Sequence, residues 1–125
     1  MTGITLDAGA LIGFERNIRT VVAIIRRAVD AGATVTVPAG VVSQVWRDGR
    51  RQVRLARLLG SPTVAVDALD DARARAAGQL CGVRHTTDVI DASVVLCARA
   101  RSQAVLTSDV SDLRRLDPSI ALIHV

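Results

Sequence analysis

The sequence has no lysine, a single glutamate, two cysteines, one tryptophan and one phenylalanine. Without lysine, a small phosphatase that pairs a nucleophilic carboxylate with a catalytic lysine is a disfavoured third reading. Cys81 and Cys97 are too far apart for a CxxC motif, and His85 and His124 stand alone, so no group has zinc-ligand spacing. The two thiols read as buried side chains of a reducing compartment. Aromatics are too few to interleave with basic residues as a base-stacking platform, and Trp46 reads as packing or a dimer contact. The glycines around Asp7 and Gly40 form no phosphate-binding loop. No apolar run approaches the roughly 20 residues that cross a bilayer, and no charged leader precedes an apolar segment. A cytoplasmic protein with no membrane partner is expected.

What is present is a core. Half of the 125 residues are hydrophobic, and a domain of this size buries roughly two-thirds of its unfolded surface. A single domain over 1–125 is expected, with no internal repeat or linker. The net charge is +4, and every basic residue is arginine. Arginine abundance accords with GC-rich coding. It also suits a polyanionic partner, because the guanidinium forks phosphate oxygens.

Short β-branched runs alternate with helical patterns. Ile4 to Leu6 reads as a buried strand and Asp7-Ala8-Gly9 as the turn into a short helix through Ala10, Leu11 and Phe14. Asn17 is a candidate cap for a helix over 18–31, whose Val21, Ile24, Ile25 and Ala28 fall at helical spacing and which Gly32 stops. Thr34 to Val37 is a second strand. Pro38 opens a helix through Val41, Val42, Val45 and Trp46, and a second helix runs from Arg51 to Leu59. Thr63 to Val66 is a third strand, followed by a helix over 70–81 and a long helix over 86–101. Ala104 to Thr107, a short helix over 108–116 and a strand over 120–125 complete the chain. This alternation predicts an α/β fold with a parallel sheet covered on both faces.

Five aspartates occupy three polar breaks: Asp7, then Asp88 and Asp91, then Asp109 and Asp112. Asp7 leaves the first strand and Asp109 the fourth. In an open parallel sheet such loops share the edge where ligands bind, at the reversal of strand order. Asp88 and Asp91 are three apart and share a helix face, as do Asp109 and Asp112. Gathered together, these carboxylates repel one another by about 4 kcal/mol per close pair at a surface-like dielectric. The cluster therefore calls for a divalent cation or trapped protons, and metal-assisted phosphodiester hydrolysis is its most economical use. The alternative is helix capping, since Asp is a favoured N-cap and Asp-x-x-Asp imitates a capping box.

At these residues the chain resembles the PIN-domain ribonucleases, and among them the VapC toxins of bacterial toxin–antitoxin modules. The matching segments are Thr5-Leu6-Asp7-Ala8-Gly9-Ala10-Leu11-Ile12, Asp88-Val89-Ile90-Asp91-Ala92 and Leu106-Thr107-Ser108-Asp109. The stretch from Val37-Pro38-Ala39 to Val45-Trp46-Arg47 resembles the family's second motif. The resemblance implies a three-layer α/β/α sandwich with a parallel sheet of about five strands in the order 3-2-1-4-5. It implies Mg²⁺ or Mn²⁺ dependence, cleavage of RNA, a homodimer and an inhibitory VapB-like antitoxin. Carried over, Asp7, Asp91 and Asp109 match family acids and are the expected metal ligands, with Asp88 and Asp112 as accessory catalytic acids. The family's second acid, usually a glutamate, is matched here by Gln44, an amide that can hold a water but lacks the charge. That departure keeps open a second reading, a catalytically weak or inactive module that binds RNA or a partner.

Other residues have two readings each. Glu15, about two helical turns past Asp7, either joins the acids or forms a surface ion pair. Arg47, Arg50, Arg54 and Arg57 lie at helical spacing and form either an RNA-backbone rail or a solvated face. Arg84 and His85 precede the acidic helix and can steer a phosphate. Thr107 and Ser108 either bond metal waters or cap the following helix.

Overall fold

Five short runs supply the sheet. In the computed structural model, which describes residues 3–125, β1 (Ile4–Leu6), β2 (Val35–Pro38), β3 (Val64–Asp67), β4 (Ala104–Thr107) and β5 (Leu122–His124) pair in parallel in the order β3-β2-β1-β4-β5. The central strands β1 and β2 are buried without alternation, Thr5 and Thr36 included, because both their faces are covered. Ile4, Leu6, Val35, Val37, Val105 and Leu106 have no exposed surface. Each fully buried side chain of this kind contributes ~1.5–3 kcal/mol.

Among the described residues, seven helices cover the sheet: α1 (Ala8–Glu15), α2 (Arg19–Asp30), α3 (Ala39–Val45), α4 (Val53–Leu59), α5 (Asp71–Arg84), α6 (Val89–Arg101) and α7 (Val110–Leu116). Right-handed crossovers place α1–α4 on one face and α5–α7 on the other. The packing follows: α1 touches α2, α3 and α4, while α5, α6 and α7 touch one another. This three-layer α/β/α arrangement is a PIN-like fold. The two helical groups meet where α3 abuts α6, and a Cβ on Gly40 would stand 2.5 Å from Ile90 Cδ1. Where the chain enters β1, Gly3 has φ +112° and a Cβ there would lie 2.0 Å from the Thr34 carbonyl oxygen, so only glycine fits.

Three expectations are corrected. Asn17 does not cap α2. It adopts φ +59° and its side-chain oxygen accepts from Arg54 at 3.0 Å, while Ile18 takes the N-cap position without a side-chain bond. The helix after β2 ends at Val45, so Trp46 lies beyond it in extended backbone. The last helix before the acids runs past Gly82 to Arg84, and His85 closes it in the left-handed conformation.

The edge strand β3 is fastened at its end. The Asp67 carboxylate accepts from Arg101 of α6 at 2.9 Å and sits 3.5 Å from Arg73 of α5. At the opposite end of the sheet, Thr5 donates its hydroxyl proton to the buried Gln103 side chain at 2.8 Å. Among the described residues no helix is long and apolar enough to cross a membrane.

Candidate functional site

The strand order reverses between β1 and β4, and their register (Leu6 opposite Leu106) brings Asp7 and Thr107 level at the carboxyl edge. Asp7 ends β1 and caps α1, its Oδ1 accepting the Ala10 N–H at 2.9 Å. Asp109 follows β4 and caps α7, accepting the Asp112 N–H at 3.4 Å. Asp88 caps α6, accepting the Asp91 N–H at 3.0 Å. Capping and clustering are therefore the same arrangement. Three helices begin at one place because an aspartate begins each.

A cavity of about 260 Å³ results, lined by Asp7, Asp88, Asp91, Asp109 and Asp112, together with Gln44, Ala8, Gly9, Ser108 and Leu113. All five predicted acids and Gln44 lie around it. The N-terminal N–H groups of α1, α6 and α7 offer partial positive charge that offsets part of the carboxylate repulsion. Gly9 keeps the mouth narrow: a Cβ there would lie 2.5 Å from Ser108 Oγ. A larger hollow of about 310 Å³ between α1, α2 and α4, floored by Phe14, Ile25 and Leu58, contains Asp30 but no cluster of acids.

The remaining repulsion appears in the protonation of the acids. Asp91 is pushed up to about 7, first by burial, then by the neighbouring Asp88 charge and hydrogen bond, and by Asp7 and Asp112. Asp7, only 6% exposed, is also raised, chiefly by burial. A hydrogen bond from the Thr107 hydroxyl opposes that rise. Asp112 is raised by its hydrogen bond with Asp109 and by that residue's charge.

The sequence left Thr107 between two roles, and the structure gives it a third. Its hydroxyl oxygen accepts the Asp109 N–H at 2.8 Å while its proton points to Asp7. The cap of α7 is Asp109 itself. A threonine at a strand end two residues before an aspartate was the available signal.

Glu15 does not join the acids. It accepts from Gln52 Nε2 at 2.7 Å, and Gln52 also binds the Val45 carbonyl and the N–H groups of Arg47 and Asp48. Glu15 thus helps fix the turn between α3 and α4. The arginine stripe is broken, since Arg47 and Arg50 lie in that turn rather than on a helix. Arg47 donates to the Ser43 and Trp46 carbonyls, and Arg54 donates to Phe14 and Asn17 and stacks 5.2 Å above the Phe14 ring.

The donors around the cavity are all oxygen, which suits a hard divalent cation. Among the described residues, no three His, Cys, Asp or Glu side chains stand in an arrangement that would hold an ion directly. The set therefore fits a cation that takes one or two carboxylates and keeps its waters, with the other acids bonding those waters.

No family model and no curated protein matches the chain. Solved structures do. A chain of VapBC2 from Rickettsia felis, determined bound to a DNA fragment from their promoter, superposes with a TM-score of 0.71 at 12% identity, covering 98% of each chain. FitAB bound to the IR36 DNA fragment gives 0.64 at 17% identity, covering 97% of this chain and 94% of that one. FitAcB from Neisseria gonorrhoeae gives 0.61 at 17% identity, covering 97% and 96%. At these identities the likeness is one of fold, and it extends over nearly the whole chain.

Proposed function

We propose that this chain is a divalent-cation-dependent endoribonuclease and the toxin of a toxin–antitoxin pair. One observation carries the proposal: the carboxyl edge of a PIN-like sheet gathers five aspartates into one cavity. Asp7 and Asp91 would hold Mg²⁺ or Mn²⁺, and Asp109 would bond the waters the cation keeps. When bound, the cation would polarise the scissile phosphate and lower the pKa of the attacking water. Asp88 and Asp112 orient waters and substrate at the rim. Thr107 opposes the burial-driven rise of the Asp7 pKa and aims its carboxylate. Hydrolysis forms a bond from water oxygen to phosphorus and breaks the bond to the leaving ribose oxygen, giving a phosphate monoester and a hydroxyl.

The partner reading draws on the fold neighbours. The similar VapBC2 and FitAB assemblies are complexes bound to DNA, which supports a VapB-like antitoxin for this chain. A homodimer belongs to the same reading. The test is cleavage of total RNA with Mg²⁺ or Mn²⁺, an EDTA control and sequencing of the cut ends. Cation-independent cutting, or none at any cation concentration, would overturn it.

A second reading rests on Gln44, which lines the cavity where the resembling family places a charged acid. In that reading the chain binds RNA or a partner without cutting. Calorimetric Mn²⁺ titration separates the two. Saturable binding that Asp7→Asn with Asp91→Asn removes supports the nuclease, and its absence supports the inert module.

A further inference from the structure

Two arginines flank the acids on the side away from the broken stripe. Arg84 ends α5, four residues before Asp88, and Arg115 lies on α7 one turn past Asp112, on the same helix face. The two residues lock each other in place. Arg84 Nε donates to the Arg115 carbonyl at 3.0 Å, and Arg115 Nη2 donates to the His85 carbonyl at 3.2 Å. His85 can present that carbonyl because it turns the chain with φ +56°. Among the described residues neither guanidinium forms an ion pair with a carboxylate, whereas Arg51, Arg73, Arg75, Arg99 and Arg101 all do. Arg115 is nonetheless near enough to the cavity for its charge to act on Asp112.

A guanidinium has five N–H donors in a planar fork. Each of these arginines uses part of its fork on a backbone carbonyl, which fixes its direction and leaves the rest facing solvent. The entropic cost of ordering the side chain is met in folding rather than on binding. The resulting pair of fixed, unneutralised positive forks stands beside a strongly negative cavity. A lone anion has no reason to approach such a cavity, but a polyanion whose neighbouring phosphates rest on the forks does.

We propose that Arg84 and Arg115 form the backbone-positioning clamp for single-stranded RNA, gripping phosphates next to the one held over the acids. The RNA then crosses the α5–α7 side of the cavity rather than the 47–57 segment. The clamp rests on the nuclease reading for the identity of its ligand. Both side chains are positioning residues and take no part in bond breaking.

The test uses full-length Asp7→Asn protein in EDTA, so that binding is measured without cleavage. A fluorescein-labelled oligouridine of about twelve nucleotides is titrated by anisotropy at several salt concentrations. Arg84→Gln with Arg115→Gln should weaken binding on the order of tenfold and flatten the salt dependence by roughly 1–1.5 in log–log slope, as expected for two lost single-strand phosphate contacts. Arg50→Gln with Arg51→Gln should leave the slope unchanged. An unchanged slope in the first variant, or an equal loss in the second, overturns the clamp. If the first variant does not fold, photocrosslinking of the Asp7→Asn protein to 4-thiouridine RNA decides. Adducts within 84–88 and 111–115 support the clamp, and adducts confined to 47–57 overturn it. RNA binding through these arginines in a protein that never cuts would sink the nuclease reading and leave the clamp standing. Cutting at wild-type KM by the Arg84, Arg115 variant would do the reverse.

Discussion

The Thr107 hydroxyl bridges the ends of neighbouring strands, donating to Asp7 at the end of β1 while accepting from the Asp109 backbone. One small side chain thus opposes the protonation of one acid and fixes the position of another. Thr107→Val keeps the shape and removes both bonds. It should cost about 1–3 kcal/mol, the usual penalty for leaving a buried polar group unpaired, and should raise the Asp7 pKa further. Urea denaturation and carboxyl-carbon NMR titration measure the two effects. Thr107→Ser should restore most of both.

Asp7→Asn should abolish RNA cleavage, by more than ~100-fold on the scale of losing a principal catalytic group. It should leave the metal-free protein at least as stable as the parent, because the amide oxygen can still accept the Ala10 N–H and a buried charge is gone. Cleavage kinetics and thermal melting together check this. Parental cutting rates in the variant would remove Asp7 from the chemistry.

The pH dependence of stability has a defined sign. Asp7 and Asp91 both have raised pKa values in the folded chain, Asp91 from 3.8 to about 7. The folded state then binds more protons than the unfolded one. Each contribution is full below the unfolded value of about 4 and is lost as pH rises through the raised folded value, which for Asp91 is about 7. Metal-free protein should therefore melt progressively lower from pH 5 to pH 8 through these two groups. Mn²⁺, which competes with those protons, should raise the melting temperature more at pH 8 than at pH 5.5. A cation effect independent of pH would mean that it binds elsewhere.

Gln44→Glu adds a carboxylate to the cavity wall. Mn²⁺ affinity should increase on the order of tenfold, as expected when a site gains ligand charge. Metal-free stability should fall through added repulsion. Calorimetry and melting report the two separately.

Asp67→Asn leaves Arg73 and Arg101 without their shared carboxylate. A loss of about 1–3 kcal/mol is expected for breaking a partly buried charge-assisted pair. RNA cleavage should not change, since Asp67 does not line the acidic cavity.

The strands were legible because they are compact runs rich in β-branched residues, the central ones buried on both faces and the edge strands β3 and β5 half-buried, and Ala104–Thr107 falls where the pattern put it. The acids were legible as a group because strand ends in a parallel sheet share an edge. Asn17 misled because its capping propensity lost to a left-handed turn that hands its oxygen to Arg54. The arginine stripe misled because periodicity in sequence assumes a continuous helix. The Gln52 side chain instead binds the backbone N–H groups of Arg47 and Asp48 and fixes a turn there. The Arg84–Arg115 lock was out of reach altogether, joining residues 31 apart through carbonyls that sequence does not display.

Because Asp7, Asp88 and Asp109 each start a helix as well as line the cavity, inactivating lesions at these codons are not equivalent. Alanine deletes the helix cap along with the charge, at about 0.5–2 kcal/mol. Glutamate keeps the charge on a longer arm. Asparagine and serine discard the carboxylate and retain a capping acceptor. A random library sorted for silent yet well-expressed chains should return asparagine and serine at these three codons above alanine and glutamate.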